Sequence, residues 1–135
     1  MPKSQNAFTL VELLIVVIIL GFIAAFGIPS YTKSRARTVE KDAAYNLGVI
    51  AEAMEMFKIR NDEQYTLGST LDNVGEINAT LSLGIIEQDM VYSCTGNGTI
   101  FTCTANPSDY TWNVEVSDTD AGTPVCAAGP ACPTL

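Results

Sequence analysis

The chain of 135 residues has no histidine, one tryptophan, and seven lysines and arginines against fifteen aspartates and glutamates. Histidine is the commonest general base, and neither a paired-carboxylate motif nor a phosphate-cradling glycine loop replaces it, so catalysis is not expected. Zinc is excluded on similar grounds. The four cysteines lack the spacing of a zinc site and have no histidine to complete one. With so little positive charge, binding to nucleic acid or to anionic lipid is disfavoured, and solubility of whatever faces water is favoured. No metal and no cofactor is expected.

What the sequence does contain is one long apolar run. Residues 8–28, FTLVELLIVVIILGFIAAFGI, carry a single charge, Glu12. As a helix they reach about 31 Å, the thickness of a bilayer's hydrocarbon core. A carboxylate in such a run is costly, which makes Glu12 either an interfacial residue or a functional one. The seven residues before it, MPKSQNA, are polar, have Lys3 as their only charge, and end in small Ala7. A secretory signal has its small-residue cleavage site after the apolar run, whereas here the small residue precedes it. Lys3 is expected to stay in the cytoplasm, with everything past Pro29 across the membrane.

A short basic leader, a small residue, then Phe8-Thr9-Leu10-Val11-Glu12 and an apolar helix resemble the class III leader and N-terminal helix of type IV pilins and pseudopilins. The resemblance covers residues 1 to about 60. It implies that a membrane prepilin peptidase cuts between Ala7 and Phe8 and methylates the new N-terminus on Phe8. Most of the family has glycine before the cut, and Ala7 departs from that while remaining small. Loss of residues 1–7 leaves a side-chain charge of minus nine. The resemblance also gives Glu12 a role, in which it meets the N-terminal ammonium of a neighbouring subunit and sets the axial register. The plain alternative is a glutamate that snorkels to the headgroups. In filaments of the family, a segment bounded like Gly21 to Pro29 is often unwound, and Gly21, Gly27 and Pro29 are all residues that weaken a helix.

Residues 29–60 change from uniformly apolar to amphipathic. Ala36, Val39, Ala43, Leu47, Ile50, Met54 and Phe57 recur every three or four residues, predicting a helix to about Ile59 with one core-facing stripe. Lys33, Arg35 and Arg37 are expected to pair with acidic neighbours such as Glu40 and Asp42, in the same subunit or the next. Residues 61–135 suffice for one small head. Asn61-Asp62 ends the helix, and residues 79–83 fit either a short helix or an extended segment. Asn78 and Asn97 open N-glycosylation patterns that are treated as chance matches.

Within 90–117, MVYSC and TIFTC flank a turn, and Tyr110, Trp112, Val114 and Val116 alternate with polar residues, predicting three or four antiparallel strands whose apolar face closes over the stripe. Cys94, Cys103, Cys126 and Cys132, delivered to an oxidising compartment, predict two disulfides in one of three connectivities. A two-residue hairpin loop at Gly98-Thr99 sets Cys94 opposite Cys103, and Cys126 and Cys132 flank a Gly129-Pro130 turn. Asp118-Thr119-Asp120 is weighed as a calcium loop, by resemblance to major pseudopilins, against a solvated turn.

The expectation is therefore an α+β pilin fold, a long N-terminal helix with a membrane half and an amphipathic half packed against a small antiparallel sheet. Its expected role is that of a non-enzymatic pilus subunit serving adhesion, motility or DNA uptake. Expected partners are further copies of the chain, the prepilin peptidase, an assembly platform with its ATPase, and the inner membrane before assembly, with no direct nucleic-acid contact. The alternatives are a pseudopilin of type II secretion and a monomeric membrane-anchored binding protein.

Overall fold

The computed structural model describes residues 8–120 and 122–127. The leader with Ala7, and Cys132, lie outside them. The element order is α1 (Leu10–Arg60), α2 (Val74–Leu81), β1 (Met90–Gly96), β2 (Phe101–Pro107), β3 (Val114–Ser117), a 3-10 turn (Asp118–Asp120) and β4 (Val125–Cys126). The chain divides into two compact units, one up to Ala36 and one from Arg37 onward.

In the first unit, α1 starts at Leu10 because Thr9 caps it. The Thr9 side chain accepts from the backbone N–H of Glu12 at 3.2 Å, and the Glu12 carboxylate accepts from the Thr9 N–H at 2.9 Å. This is the reciprocal Thr-x-x-Glu capping box, which satisfies two of the donors a helix start leaves orphaned. Helical backbone continues through Gly21, Gly27 and Pro29. Every large apolar side chain from Phe8 to Ile28 is exposed, from 49 % at Val16 to 81 % at Leu10.

The second unit closes a core. Ala43, Leu47, Ile50 and Met54 of α1 are buried, with Val39 and Phe57 packed partly against the same cluster. One face of an antiparallel sheet in the order β1-β2-β3-β4 covers them. Alternation sends Met90, Tyr92 and Cys94 of β1, Phe101, Cys103 and Ala105 of β2, and Val114 and Val116 of β3 inward. The β1–β2 register pairs Cys94 with Cys103. Their disulfide spans 4.2 Å between Cα atoms and is fully buried. Cys126 is also disulfide-bonded.

Two expectations need correction. Tyr110 and Trp112 are not strand residues: they precede β3 and stack on each other with centroids 5.5 Å apart. The fourth strand, Val125–Cys126, lies beyond the stretch 90–117. Residues 79–83 are divided, with 79–81 ending α2 and Ser82 capping it in the left-handed conformation. Asn73 accepts from Glu76 N–H at 2.9 Å to start that helix. Asn78 then clamps the chain beyond it, donating to the Ile85 carbonyl at 2.8 Å and accepting from its N–H at 2.9 Å.

Between α1 and α2 the chain crosses the β1–β2 hairpin. The Tyr65 N–H donates to the Gly98 carbonyl at 3.0 Å, and Leu71 exchanges two backbone bonds of 2.9 Å with Cys94. The crossing is close enough that a Cβ on Gly96 would sit 2.0 Å from the Tyr65 carbonyl oxygen. Gly98, at φ +97°, supplies the hairpin's left-handed tip.

Candidate assembly site

The N-terminal end of α1 collects the functional candidates. Phe8 is 79 % exposed, and Glu12 follows one turn later. Both Thr9 donors, the backbone N–H at 2.9 Å and the hydroxyl at 2.8 Å, fall on Oε2 of Glu12. Among the described residues Oε1 accepts no hydrogen bond. Glu12 therefore completes a helix start whose N–H groups would otherwise be unsatisfied in an apolar setting, and it still presents one charged oxygen to a cation. The Thr9-x-x-Glu12 spacing is the legible signal for this cap, and reading Glu12 as a charge alone passes over it.

Gly21 and Gly27 lie on this exposed surface, and an added Cβ at either meets nothing within 4 Å. Packing within the chain therefore does not require glycine there. Among the described residues α1 is the one helix long and apolar enough to cross a membrane, by length and composition.

In the second unit the polar groups serve the fold. The Tyr65 ring packs on Phe101, with centroids 5.0 Å apart, and its hydroxyl sits between the carboxylates of Glu55 and Asp118. Lys58 donates to the same hydroxyl at 3.2 Å and lies 4.6 Å from the ring centroid. Burial, then the two carboxylates, pushes the hydroxyl above the ordinary tyrosine range, so it remains the proton donor. Asn46 of α1 donates to the Tyr92 hydroxyl at 2.9 Å, tying helix to sheet. Tyr92 is likewise raised, chiefly by burial, against the opposing effect of that hydrogen bond.

In the loop 118–120, weighed for calcium, the two carboxylates accept from hydroxyls of the chain itself. Asp118 accepts from Tyr65 and Asp120 accepts from Ser117 at 2.9 Å, so the two carboxylates serve different hydroxyls. Among the described residues no group of three or more carboxylates, cysteines or histidines is placed to hold a metal.

Glu40 is the residue the pattern hid. It falls on the core stripe between Ala36 and Ala43, is 2 % exposed, and leaves Oε1 without a hydrogen-bond partner. Burial raises its pKa, and the charges of Arg37 and then Lys41 oppose that rise. It is a buried acid on the core stripe that feels the charges of Arg37 and Lys41 from there.

The N-terminus of the chain matches the prokaryotic N-terminal methylation motif over residues 2–28. The chain is 31 % identical to a fimbrial protein of Pseudomonas aeruginosa over 101 residues, 73 % of this chain and 66 % of that one. It is 42 % identical to the type IV major pilin protein PilA of Myxococcus xanthus over 61 residues, 45 % of this chain and 27 % of that one. With the type II secretion system core protein G of Vibrio cholerae it shares 29 % identity over 70 residues, 52 % of this chain and 48 % of that one. The chain thus spans between about a quarter and two thirds of the length of these curated relatives. A capped apolar helix with a glutamate in its first turn, joined to a helix-on-sheet head and matched over 2–28 by the methylation motif, together with the similarity to these relatives, places the chain in the family of type IV pilins and pseudopilins.

Proposed function

We propose that the chain is the structural subunit of a type IV pilus. Inserted in the inner membrane with Lys3 on the cytoplasmic side, it is cut between Ala7 and Phe8 and methylated on Phe8. It then polymerises through residues 8–28, served by an assembly platform and its ATPase. The carrying observation is the pairing of a wholly exposed apolar helix with a Glu12 carboxylate that is held by Thr9 on one oxygen and open on the other.

Lipid tails are as apolar as leucine side chains, so moving this helix from bilayer to a bundle of copies changes its apolar burial little. Dissolving the bundle into water is what costs, at about 1.5–3 kcal/mol for each large side chain exposed. Apolar contacts therefore hold a finished filament without deciding where an incoming copy stops. The charge pair decides it: in a low-dielectric bundle Glu12 must be neutralised, and the ammonium of methyl-Phe8 on a neighbouring copy is the available cation.

Mass spectrometry of sheared surface fibres is expected to find a mature chain beginning at methyl-Phe8. A chain that still begins at Met1 overturns the proposal. Glu12→Gln separates charge from capping, since an amide oxygen still accepts from Thr9. Both Glu12→Gln and Glu12→Ala should abolish most fibre yield while leaving membrane insertion intact; normal fibres from Glu12→Gln would reduce Glu12 to a cap. The similarity to core protein G over 70 residues favours, as a second reading, a pseudopilin. That reading predicts loss of protein secretion, with no surface fibres, in a strain lacking the chain.

A further inference from the structure

Apart from Lys3, every cationic side chain lies within 33–60, and four of them lie within 33–41. From residue 61 to the end there are ten carboxylates and no lysine or arginine. This segregation is matched by a cleft of about 520 Å³ in the second unit, between Asp42, Tyr45 and Asn46 of α1 and Ile85, Ile86 and Asp89 beyond α2. At the cleft Tyr45 is 74 % and Ile86 72 % exposed. Apolar walls beside carboxylates suit an arginine, whose stem packs on aliphatic and aromatic surface while its guanidinium meets the acids.

Arg37 is exposed on the same helix, but it cannot fill this cleft in its own copy. Five residues separate it from Asp42, which puts the two side chains about 140° apart around the helix. A second copy presents no such difficulty. The contact would be heterologous, a cationic edge on one copy against an acidic cleft on the next, the kind that propagates into an open polymer.

The axial geometry agrees. In a helical polymer of identical copies, neighbours are related by a rotation about the axis and one axial rise, and that rise is the same for every atom. Setting the Phe8 ammonium of one copy beside Glu12 of another requires an offset of four residues, about 6 Å along the helix. Setting Arg37 beside Asp42 requires five residues in the same sense, about 7.5 Å. Side-chain length absorbs the difference. Because the axial rise is shared by all atoms, the comparison requires only that both segments of α1 run along the polymer axis.

We infer that the cleft at Asp42, Tyr45 and Ile86 is a second register site, which receives Arg37 of a neighbouring copy at the stagger that pairs Phe8 with Glu12. The inference rests on the proposed polymer. It assigns the head a charge-reading step that follows the one in the membrane.

The test is a charge swap in the full chain, expressed in cells that assemble it. Arg37→Glu and Asp42→Arg should each lower sheared-fibre yield by about tenfold or more, and the double variant should restore most of the loss. Arg37→Gln and Asp42→Asn, which only delete charge, should fall between. Thermal melting of each detergent-solubilised chain checks that the head still folds. Single variants that assemble like the parent, or folded variants whose combination is no better than either alone, overturn the cleft. If the parent forms no fibres or keeps Met1, the polymer reading itself fails, a result the charge swap does not produce.

Discussion

Residues 8–28 and the unit from Arg37 onward solve opposite problems with the same kind of residue. In the first, large apolar side chains face outward, and among the described residues nothing covers them. In the second, apolar residues on one stripe of α1 are buried by a sheet that the same chain supplies. Only the second region can owe its packing to its own sequence, so a mutation there is felt in the monomer. The first must find its packing in lipid or in other copies, and mutations there are expected to be silent until assembly. The polar exceptions follow the same division, with Glu12 open to a partner and Tyr65 enclosed by partners from its own chain.

The largest break in this contrast should come from Gly96→Ala. A Cβ there would lie 2.0 Å from the Tyr65 carbonyl oxygen, a backbone atom that cannot move without dragging the crossing segment off the hairpin. The expected loss is about 3 kcal/mol or more, read as a fall in the head's melting temperature, and an unchanged melt would mean that the crossing is loose. Next is reduction of Cys94–Cys103, nine residues apart, for which loop entropy gives roughly 2–3 kcal/mol. Protease digestion in reductant should open the head while residues 8–28 in detergent keep their helical circular dichroism.

Tyr65→Phe should cost about 1–3 kcal/mol, because the carboxylates of Glu55 and Asp118 lose their shared donor while the ring contact with Phe101 survives. Glu40→Leu should act in the other direction. Its buried Oε1 has no partner, and replacing the acid by an apolar side chain is expected to stabilise the head by about 1–3 kcal/mol near neutral pH. The sign with pH follows. Because the folded-state pKa is raised above the ordinary 4.5, the native chain binds the proton more tightly than the unfolded one. This group's contribution to stability therefore rises as pH falls through the raised value toward 4.5 and is lost again above it. The difference between parent and Glu40→Leu melts should shrink over that window; a difference constant with pH would place the carboxylate in water.

What was legible in the sequence was whatever repeats at short range. The apolar run, the stripe at three- and four-residue spacing, and the β-rich runs around Thr95-Gly96-Asn97-Gly98 are local periodicities, and the helix, its buried face and the Cys94–Cys103 hairpin came from them. Tyr65 was illegible because its partners, Glu55, Lys58, Asp118 and Phe101, meet only through tertiary packing. Glu40 was illegible for a different reason: hydrophobic periodicity predicts which positions face inward but not that an acid occupies one of them. For Tyr110 and Trp112 the alternation was real, but stacking on each other satisfied the rings without a ladder. Glu12 lay between these cases, since its cap is written in four consecutive residues while its proposed partner lies on another molecule.

The smallest expected effect sharpens the comparison most. Gly21→Ala and Gly27→Ala add a methyl where nothing lies within 4 Å, so neither should change the head's melting temperature. Within the helix each should be favourable by about 0.5–1 kcal/mol, since glycine pays the larger backbone entropy. A helix that gains stability in the detergent-solubilised monomer, with the head's melt unchanged, and a polymer that loses yield would together locate the need for glycine in assembly, where either close approach of a neighbour or local unwinding before Pro29 requires it. The two causes separate on Gly21→Ser and Gly27→Ser. A neighbour's backbone against the site rejects serine at least as strongly as alanine, whereas unwinding tolerates serine better, because its hydroxyl bonds to the freed backbone. Fibres that form equally well with alanine and serine at both positions would remove either role, leaving 8–28 as an apolar surface whose only discriminating residue is Glu12.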